Sequence, residues 1–261
     1  MSSPWTLLGI ATSAVVGLMF LLWLIHLFTR NASVVDPGWA AGLALCAWVY
    51  ALFGDGYEPR RWMMAAMAGV WGLRLAAYLL ITRVIGQPEE GRYVHLREKW
   101  KTNLALKFLI FFQVQALLDV ILSVPFLLAA RNQSPQIHPL EWLALVVWVV
   151  AITGETLADA QLHRFKSDPR NKGHVCQAGL WNYSRHPNYF FESLIWIAYA
   201  LLAFPASHGW IALYAPALML YFLFQVTGIP ATEAQAVRSK GEAYRAYQRT
   251  TSAFVPWSKR V

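Results

Sequence analysis

Charged residues are scarce in this chain of 261 amino acids: they make up only 14% of it, and its 14 acidic residues are outnumbered by 22 lysines and arginines. Soluble domains carry about 25% charged residues, whereas 57% of this chain is hydrophobic, so an ordinary soluble domain is excluded. Cysteine is also scarce. Cys46 lies in an apolar run and Cys176 in a polar connection, so we expect no disulfide.

The hydrophobic residues are gathered in long runs, and about 20 consecutive apolar residues cross a bilayer as a helix. We therefore predict an all-α, polytopic membrane protein that forms a single domain over residues 1–261. The first run lacks a basic region before it and is too long for a signal peptide, so we keep it in the mature chain. The predicted spans are residues 5–28, 38–53, 62–81, 106–129, 140–160, 189–205 and 209–228.

Basic residues concentrate in the connections after the first, third and fifth predicted spans and in the C-terminal tail. The opposite side has Arg60, Arg61 and Arg131. Basic connections stay in the cytosol, so we predict the N-terminus outside and the C-terminus inside, in the inner membrane if the chain is bacterial. The lipid bilayer is the partner that this charge indicates. We expect a monomer and no nucleic-acid binding, because no soluble part remains to carry such a site.

Ionisable residues inside apolar helices are costly and usually mark a function. Most of those found here lie near the predicted cytosolic ends of the spans, and Asp119, nearer the middle of its span, stays without an assigned role. Residues four apart share one helix face. The sequence therefore predicts one polar cavity that opens to the cytosol. Its candidate members are Asp36, Arg74, Tyr78, Arg83, Glu155, Asp159, Asn188 and Glu192.

A basic connection follows the fifth predicted span, with Arg164, Lys166, Arg170, Lys172, Arg185 and the histidines His163, His174 and His186. Several arginines and lysines together suit phosphate groups. No Gly-x-Gly-x-x-Gly motif follows a strand, which excludes a Rossmann site, and the histidine spacing fits no zinc pattern, so we expect no metal. The plainer alternative for the carboxylates Glu155, Asp159 and Glu192 is that they only join helices through hydrogen bonds. The plainer alternative for cations of the connections is that they only anchor the topology, and it applies above all to Arg92, Arg97, Lys99 and Lys101.

The run GLWNYSRHPNYFFE, with ETLADAQLHRFK before it and GIPATEAQAV after it, resembles the steroid 5-alpha-reductase superfamily. More narrowly, it looks like bacterial members classed under a domain of unknown function. The resemblance covers residues from about Ser33 onward and is densest after Gly154. Its Arg-His-Pro-x-Tyr element also occurs in isoprenylcysteine carboxyl methyltransferases and phospholipid methyltransferases.

This resemblance implies a seven-helix reductase that uses NADPH to reduce the carbon–carbon double bond of a 3-oxo-Δ4 steroid or a similar lipid enone. Matching positions assign cofactor contacts to Asp159, Lys166, Asn188 and Glu192, whereas a tyrosine–arginine pair of the animal enzymes falls on Gly173 and His174. The full set of candidate cofactor residues is Arg83, Glu155, Asp159, His163, Arg164, Lys166, Arg170, Lys172, Arg185, His186, Asn188, Tyr189 and Glu192.

An enone reductase also needs a hydrogen-bond donor at the ketone oxygen. The tyrosine that polarises the substrate in the family falls here on Trp71, which has no phenol. We predict Asp36 as the essential catalytic group, with Tyr78 as helper and Arg74 as its support. The alternative is that Asp36 merely caps the helix that begins with Pro37.

Two other functions remain open. One is an S-adenosylmethionine-dependent methyltransferase of the isoprenylcysteine or phospholipid type. The other is a non-enzymatic lipid-binding or transport protein, although no inverted repeat supports transport. Phosphate recognition separates the first alternative from the reductase, because S-adenosylmethionine carries no phosphate and the basic connection would then have no ligand.

The basic connections predict opposite locations for the two ends of the chain. Reporter domains that are active only in the cytosol, fused to either end, should be active at the C-terminus and inactive at the N-terminus. Activity at both ends would contradict an odd number of spans.

Overall fold

A computed structural model describes residues 3–226 and 228–259, and in these residues the fold is all-helical, apart from one isolated backbone bridge between Ser184 and Ser252. The helices are α1 Pro4–Thr29, α2 Val35–Phe53, α3 Glu58–Leu79, α4 Gly91–Trp100, α5 Leu104–Leu122, α6 Val124–Arg131, α7 Pro139–Ser167, α8 Pro187–Ala203, α9 Tyr214–Tyr221, α10 Ile229–Lys240 and α11 Glu242–Thr250. The predicted all-α class is therefore confirmed.

Among the described residues, six helical segments are long and apolar enough to cross a membrane. They are Pro4–Thr29, Ala32–Phe53, Glu58–Val84, Leu104–Arg131, Pro139–Ser167 and Gly209–Lys240, the last of which includes residue 227, outside the described residues. The predicted span 189–205 corresponds to α8, which has 17 residues and is shorter than the other segments. Seven spans and the orientation of the termini stay predictions.

The chain divides into two compact units. The first contains Met1–His138 with Ala203–Gly209, and the second contains Pro139–Leu202 with Trp210–Val261. That the whole chain forms one domain stays a prediction.

Glycine allows the helices of the first unit to pack closely. A Cβ atom on Gly72 of α3 would lie 2.6 Å from the carbonyl oxygen of Ala40 on α2. The Nε1 of Trp23 on α1 donates to the carbonyl oxygen of Ala105 on α5 at 2.9 Å. Proline explains the break between α5 and α6, because Pro125 has no N–H to continue the helical ladder.

Arg60, in the first turn of α3, is completely buried in this unit. Its guanidinium donates to the carbonyl oxygens of Asn132 at 2.7 Å, Ser134 at 3.0 Å and Gln136 at 2.6 Å. From the sequence, Arg60 was used only as a basic residue that indicates orientation. In the structure it supplies the hydrogen-bond donors for backbone carbonyl oxygens of the segment after α6.

In the second unit, α7 and α8 also meet at a glycine. A Cβ atom on Gly154 would lie 2.4 Å from the ring of Phe191. The segment between the two helices folds back on α7, since the Nε1 of Trp181 donates to the carbonyl oxygen of Ala158 at 2.9 Å. The side chain of Gln161 accepts from the backbone N–H of Leu180, also at 2.9 Å. This packing places the start of α8 beside the polar part of α7.

Replacing Arg60 with alanine should reduce the stability of the first unit, because three backbone carbonyl oxygens lose the donor that the buried guanidinium supplies. The expected cost is about 3 kcal/mol. Thermal unfolding in detergent measures it, with Arg249→Ala as the control, because the ion pair of Arg249 with Glu242 is exposed. An exposed ion pair contributes roughly 1 kcal/mol or less. Equal losses in the two variants would contradict the role given to Arg60.

Candidate functional site

Four of the predicted cofactor residues lie where α7 and α8 pack together. Glu155 and Asp159 are buried on one face of α7, and Glu192 is buried on α8. The side-chain amide of Asn188 donates to Oδ1 of Asp159 at 3.4 Å. Oε1 of Glu192 accepts from the indole N–H of Trp196 at 2.8 Å. The structure therefore brings Asn188 of α8 to Asp159 of α7, two residues that the sequence placed at one depth.

The basic residues at the end of α7 and after it point into solvent. His163, Arg164, Lys166 and Lys172 are exposed. The Nη2 atom of Arg170 lies 2.7 Å from Oδ2 of Asp168, and the Arg170 side chain is 88% exposed. These hydrogen bonds from Arg170 lower the pKa of the Asp168 carboxyl below its usual value. Exposed cations of this kind can turn toward an anionic ligand at little structural cost.

Arg185 differs from the other cations of this segment because it is largely buried in an ion pair. Its Nε donates to Oε1 of Glu233 on α10 at 2.6 Å. Its Nη1 donates to the carbonyl oxygens of Gln248 at 2.9 Å and Thr251 at 2.7 Å. Arg185 thus joins the start of α8 to α10 and to the end of α11.

The neighbouring His186 contacts the same glutamate. Its Nε2 lies 3.3 Å from Oε1 of Glu233, and its ring stacks on that of Tyr189 at 5.3 Å between centroids. The other carboxylate oxygen of Glu233 accepts from the side-chain amide of Gln248 at 2.8 Å. The Tyr189 hydroxyl lies 3.3 Å from that of Thr232. Through these contacts of His186 and Tyr189, the Arg-His-Pro-x-Tyr element packs against α10.

The segment after α11 completes this arrangement. The backbone N–H of Arg185 donates to the carbonyl oxygen of Ser252 at 2.9 Å, and the Ser184 hydroxyl donates to that of Phe254 at 2.8 Å. The hydroxyl of Tyr247 donates to the carbonyl oxygens of Trp181 and Ser184. The start of α8 is therefore held by backbone as well as side-chain contacts.

A second polar cluster lies in the first unit around Asp36, the predicted catalytic acid. Oδ2 of Asp36 pairs with the guanidinium of Arg92, and Oδ1 accepts from the hydroxyl of Tyr93 at 2.6 Å. Glu90 also pairs with Arg92, at 3.0 Å, and with Arg83, at 3.1 Å. Burial, reinforced by the adjacent Asp36 charge, raises the pKa of the Tyr93 phenol. Tyr93 therefore keeps its proton at neutral pH.

The predicted supports of Asp36 lie on α3. Arg74 and Tyr78 are half-buried there, and the Tyr78 carbonyl oxygen accepts from the hydroxyl of Thr82 at 2.6 Å. Trp71 is buried with its ring edge-on to Trp39, at 6.1 Å between centroids. The two neighbours described above for Asp36, which are Arg92 and Tyr93, come from α4, and the support of Asp36 by Arg74 and Tyr78 stays a prediction.

Several residues of these clusters had no predicted site role, among them Glu90, Tyr93 and Glu233. Arg92 was interpreted as a topology anchor. One signal was available for Glu233, which is the only acid of α10 in a stretch that carries the family resemblance. For Tyr93 no local signal existed, because its contact with Asp36 joins positions 57 residues apart.

Six helical segments that can cross a membrane, with charged clusters near their ends, define a membrane-embedded helical protein. The chain belongs to the DUF1295 family, described as a protein of unknown function, whose match covers residues 22–251. It is similar to an uncharacterized protein of Schizosaccharomyces pombe, with 27% identity over 268 aligned residues, which cover 90% of this chain and 75% of the relative. No solved structure matches the chain.

Removing the carboxylate of Glu233 should loosen the start of α8, because the largely buried Arg185 would lose its counter-ion. Glu233→Ala is expected to cost about 3 kcal/mol of stability. Thermal unfolding in detergent is the measurement. Glu242→Ala is the matched control, since its ion pair with Arg249 is exposed and contributes little. Identical unfolding curves for Glu233→Ala and the native chain would refute a structural role for this ion pair.

Proposed function

We propose that this protein is a membrane-embedded, NADPH-dependent reductase that acts on the carbon–carbon double bond of a lipid-soluble enone such as a 3-oxo-Δ4 steroid. The observation that carries the proposal is the grouping of Asp159, Asn188 and Glu192 between α7 and α8, directly before and after a segment of exposed cations. The resemblance to steroid 5-alpha-reductases supports the same reaction.

The exposed cations suit the phosphates of the cofactor. NADPH carries a pyrophosphate and a 2′-phosphate, and charge-assisted hydrogen bonds from several arginines and lysines hold such groups strongly. Arg164, Lys166, Arg170 and Lys172 are the candidates, because their side chains are exposed. We assign Arg185 and His186 a positioning role, since Glu233 holds both of them at the start of α8.

The polar group between α7 and α8 suits the nicotinamide end of the cofactor. A carboxamide needs both a donor and an acceptor, and the side chain of Asn188 offers both. Asp159 and Glu192 add carboxylate acceptors on either side. Bound there, NADPH would supply the hydride, and the chain has to orient it and exclude water.

The substrate ketone needs a donor that strengthens its hydrogen bond as negative charge develops on oxygen. We assign this role to Tyr93 rather than Tyr78, because Tyr93 belongs to an acid–phenol pair with Asp36. Asp36 accepts hydrogen bonds on both oxygens, so it acts as an anion and not as the donor itself. A phenol has one proton, so the Tyr93 O–H would turn from Asp36 to the ketone when the substrate binds, while Arg92 keeps Asp36 paired. Addition of a hydride to the β-carbon puts negative charge on the ketone oxygen, which the Tyr93 O–H would stabilise, and a proton from solvent would complete the α-carbon.

The number of membrane spans and the orientation of the termini are part of the same proposal. With α8 as a seventh, short span, the N-terminus lies outside and the C-terminus in the cytosol, where NADPH is available. The protein is then a multi-pass membrane protein, and α7, α8 and the basic segment between them face the cytosolic cofactor pool. The basic connections support this orientation.

Neutralising two exposed cations tests the cofactor. In Lys166→Gln/Arg170→Gln, affinity for NADPH should fall about ten- to a hundredfold while affinity for NADH stays the same, because only NADPH carries the 2′-phosphate. Titration of the purified protein in detergent measures both affinities. Arg238→Gln/Arg245→Gln, which removes two cations from α10 and α11, is the control and should change neither affinity.

Equal losses for NADPH and NADH would mean that Lys166 and Arg170 do not recognise the 2′-phosphate. Binding of S-adenosylmethionine, with no binding of either nicotinamide cofactor, would overturn the reductase in favour of a methyltransferase of the isoprenylcysteine type.

A further inference from the structure

Asp119 is a carboxylic acid that the proposed reductase does not use. It lies on α5 within a segment able to cross a membrane, and it is completely buried. Neither of its carboxylate oxygens has a hydrogen-bond partner among the described residues. A Cβ atom placed on Gly42 of α2 would overlap Oδ2 of Asp119, so this oxygen lies directly against the α2 backbone. The side chain is therefore packed tightly, and water has no room at this contact.

Such a position excludes an ionised carboxylate. Transfer of an unpaired charge from water into an apolar interior is so costly that the group instead takes up a proton. The groups that face Asp119 do not change this conclusion. Val15 of α1 is apolar, and the nearby Cys46 of α2 is a thiol with no positive charge. The carboxyl group of Asp119 is thus neutral in the folded protein.

A line of protonatable side chains leads away from this carboxyl group. Gly42, Cys46 and Tyr50 are spaced four residues apart and share one face of α2, and Ser123, the residue directly after α5, follows Asp119 by four. Cys46 is buried and lies near both Asp119 and Ser123. The Ser123 hydroxyl lies 3.0 Å from that of Tyr50 and donates to the carbonyl oxygen of Val120 at 2.9 Å.

The line ends one turn from the C-terminal end of α2. Tyr50 is in the last turn of that helix, which Gly54 terminates through a hydrogen bond to the Tyr50 carbonyl oxygen. Arg61 donates to the carbonyl oxygens of Ala51 and Gly54 at the same helix end. The C-terminal end of α2, where the line stops, therefore carries polar groups. The opposite end of the line is the buried carboxyl group of Asp119.

We propose that Asp119 is a proton-binding site inside the helical bundle. In the packed state neither of its oxygens has a hydrogen-bond partner among the described residues, so its proton reaches Cys46, Ser123 and Tyr50, and through them the C-terminal end of α2, only when the side chains between α2 and α5 rotate. Each hydroxyl or thiol can accept a proton on one side and release one on the other, so no net charge stays on the line. Intramembrane carboxylic acids with such neighbours serve as proton relays in other membrane proteins. The inference does not depend on the reductase proposed above.

Infrared spectroscopy of the protein in phosphatidylcholine nanodiscs tests the first half of the proposal. A neutral carboxylic acid has a carbonyl band that an ionised carboxylate lacks. This band should be present between about pH 5 and 9, where ordinary carboxyl groups are ionised, and should be absent in Asp119→Asn. If asparagine prevents folding, Asp119→Glu should shift the band. A native chain without the band would overturn the proposal.

Hydrogen exchange tests the relay. After transfer into D₂O, the carbonyl band shifts as Asp119 takes up deuterium, and Tyr50→Phe should slow this shift about tenfold because one link of the line is lost. Tyr221→Phe, which alters an exposed tyrosine of α9, is the control and should exchange at the native rate. Native exchange in Tyr50→Phe would overturn the relay through this residue.

Discussion

Buried charge needs a partner, and this constraint governs the polar structure of the chain. In helices surrounded by apolar side chains an unpaired ion is unstable, so each buried charged group is paired, bound to backbone oxygens or neutralised. Arg185 pairs with Glu233, and Asp36 pairs with Arg92. Arg60 donates to three carbonyl oxygens. Asp119 has no hydrogen-bond partner among the described residues, which is why we infer that it holds a proton.

The same constraint separates the cations into two groups with different tasks. Arg185 is largely buried, has a short contact with the carboxylate of Glu233, and joins segments that are distant in sequence. Lys166 and Lys172 remain exposed beside the polar group of α7 and α8. An exposed cation loses little when it turns to a phosphate, whereas a buried one would leave its carboxylate unpaired. This difference is the physical reason for assigning the phosphates to the exposed cations and the alignment of α8 to Arg185.

The positions of the helices followed from the sequence because apolar runs of sufficient length have few other structures available. The candidate site was predictable in part for a similar reason. Glu155 and Asp159 share a face of α7 through their spacing alone, as do Asn188 and Glu192 on α8. Two single acids, Asp36 and Glu233, showed no such spacing with their partners, and the sequence alone could not predict which basic or phenolic groups they would contact.

The sequence by itself determined the all-helical, membrane-embedded class, since hydrophobic run length and the scarcity of charge depend only on local composition. It also determined which residues of α7 and α8 share a helix face. Only the tertiary structure decided the pairs: Tyr93 with Asp36 across 57 positions, Arg185 with Glu233 across 48, and Tyr50 with Ser123 across 73. Those contacts depend on which helices pack together and at what height, and helical periodicity carries no information about either.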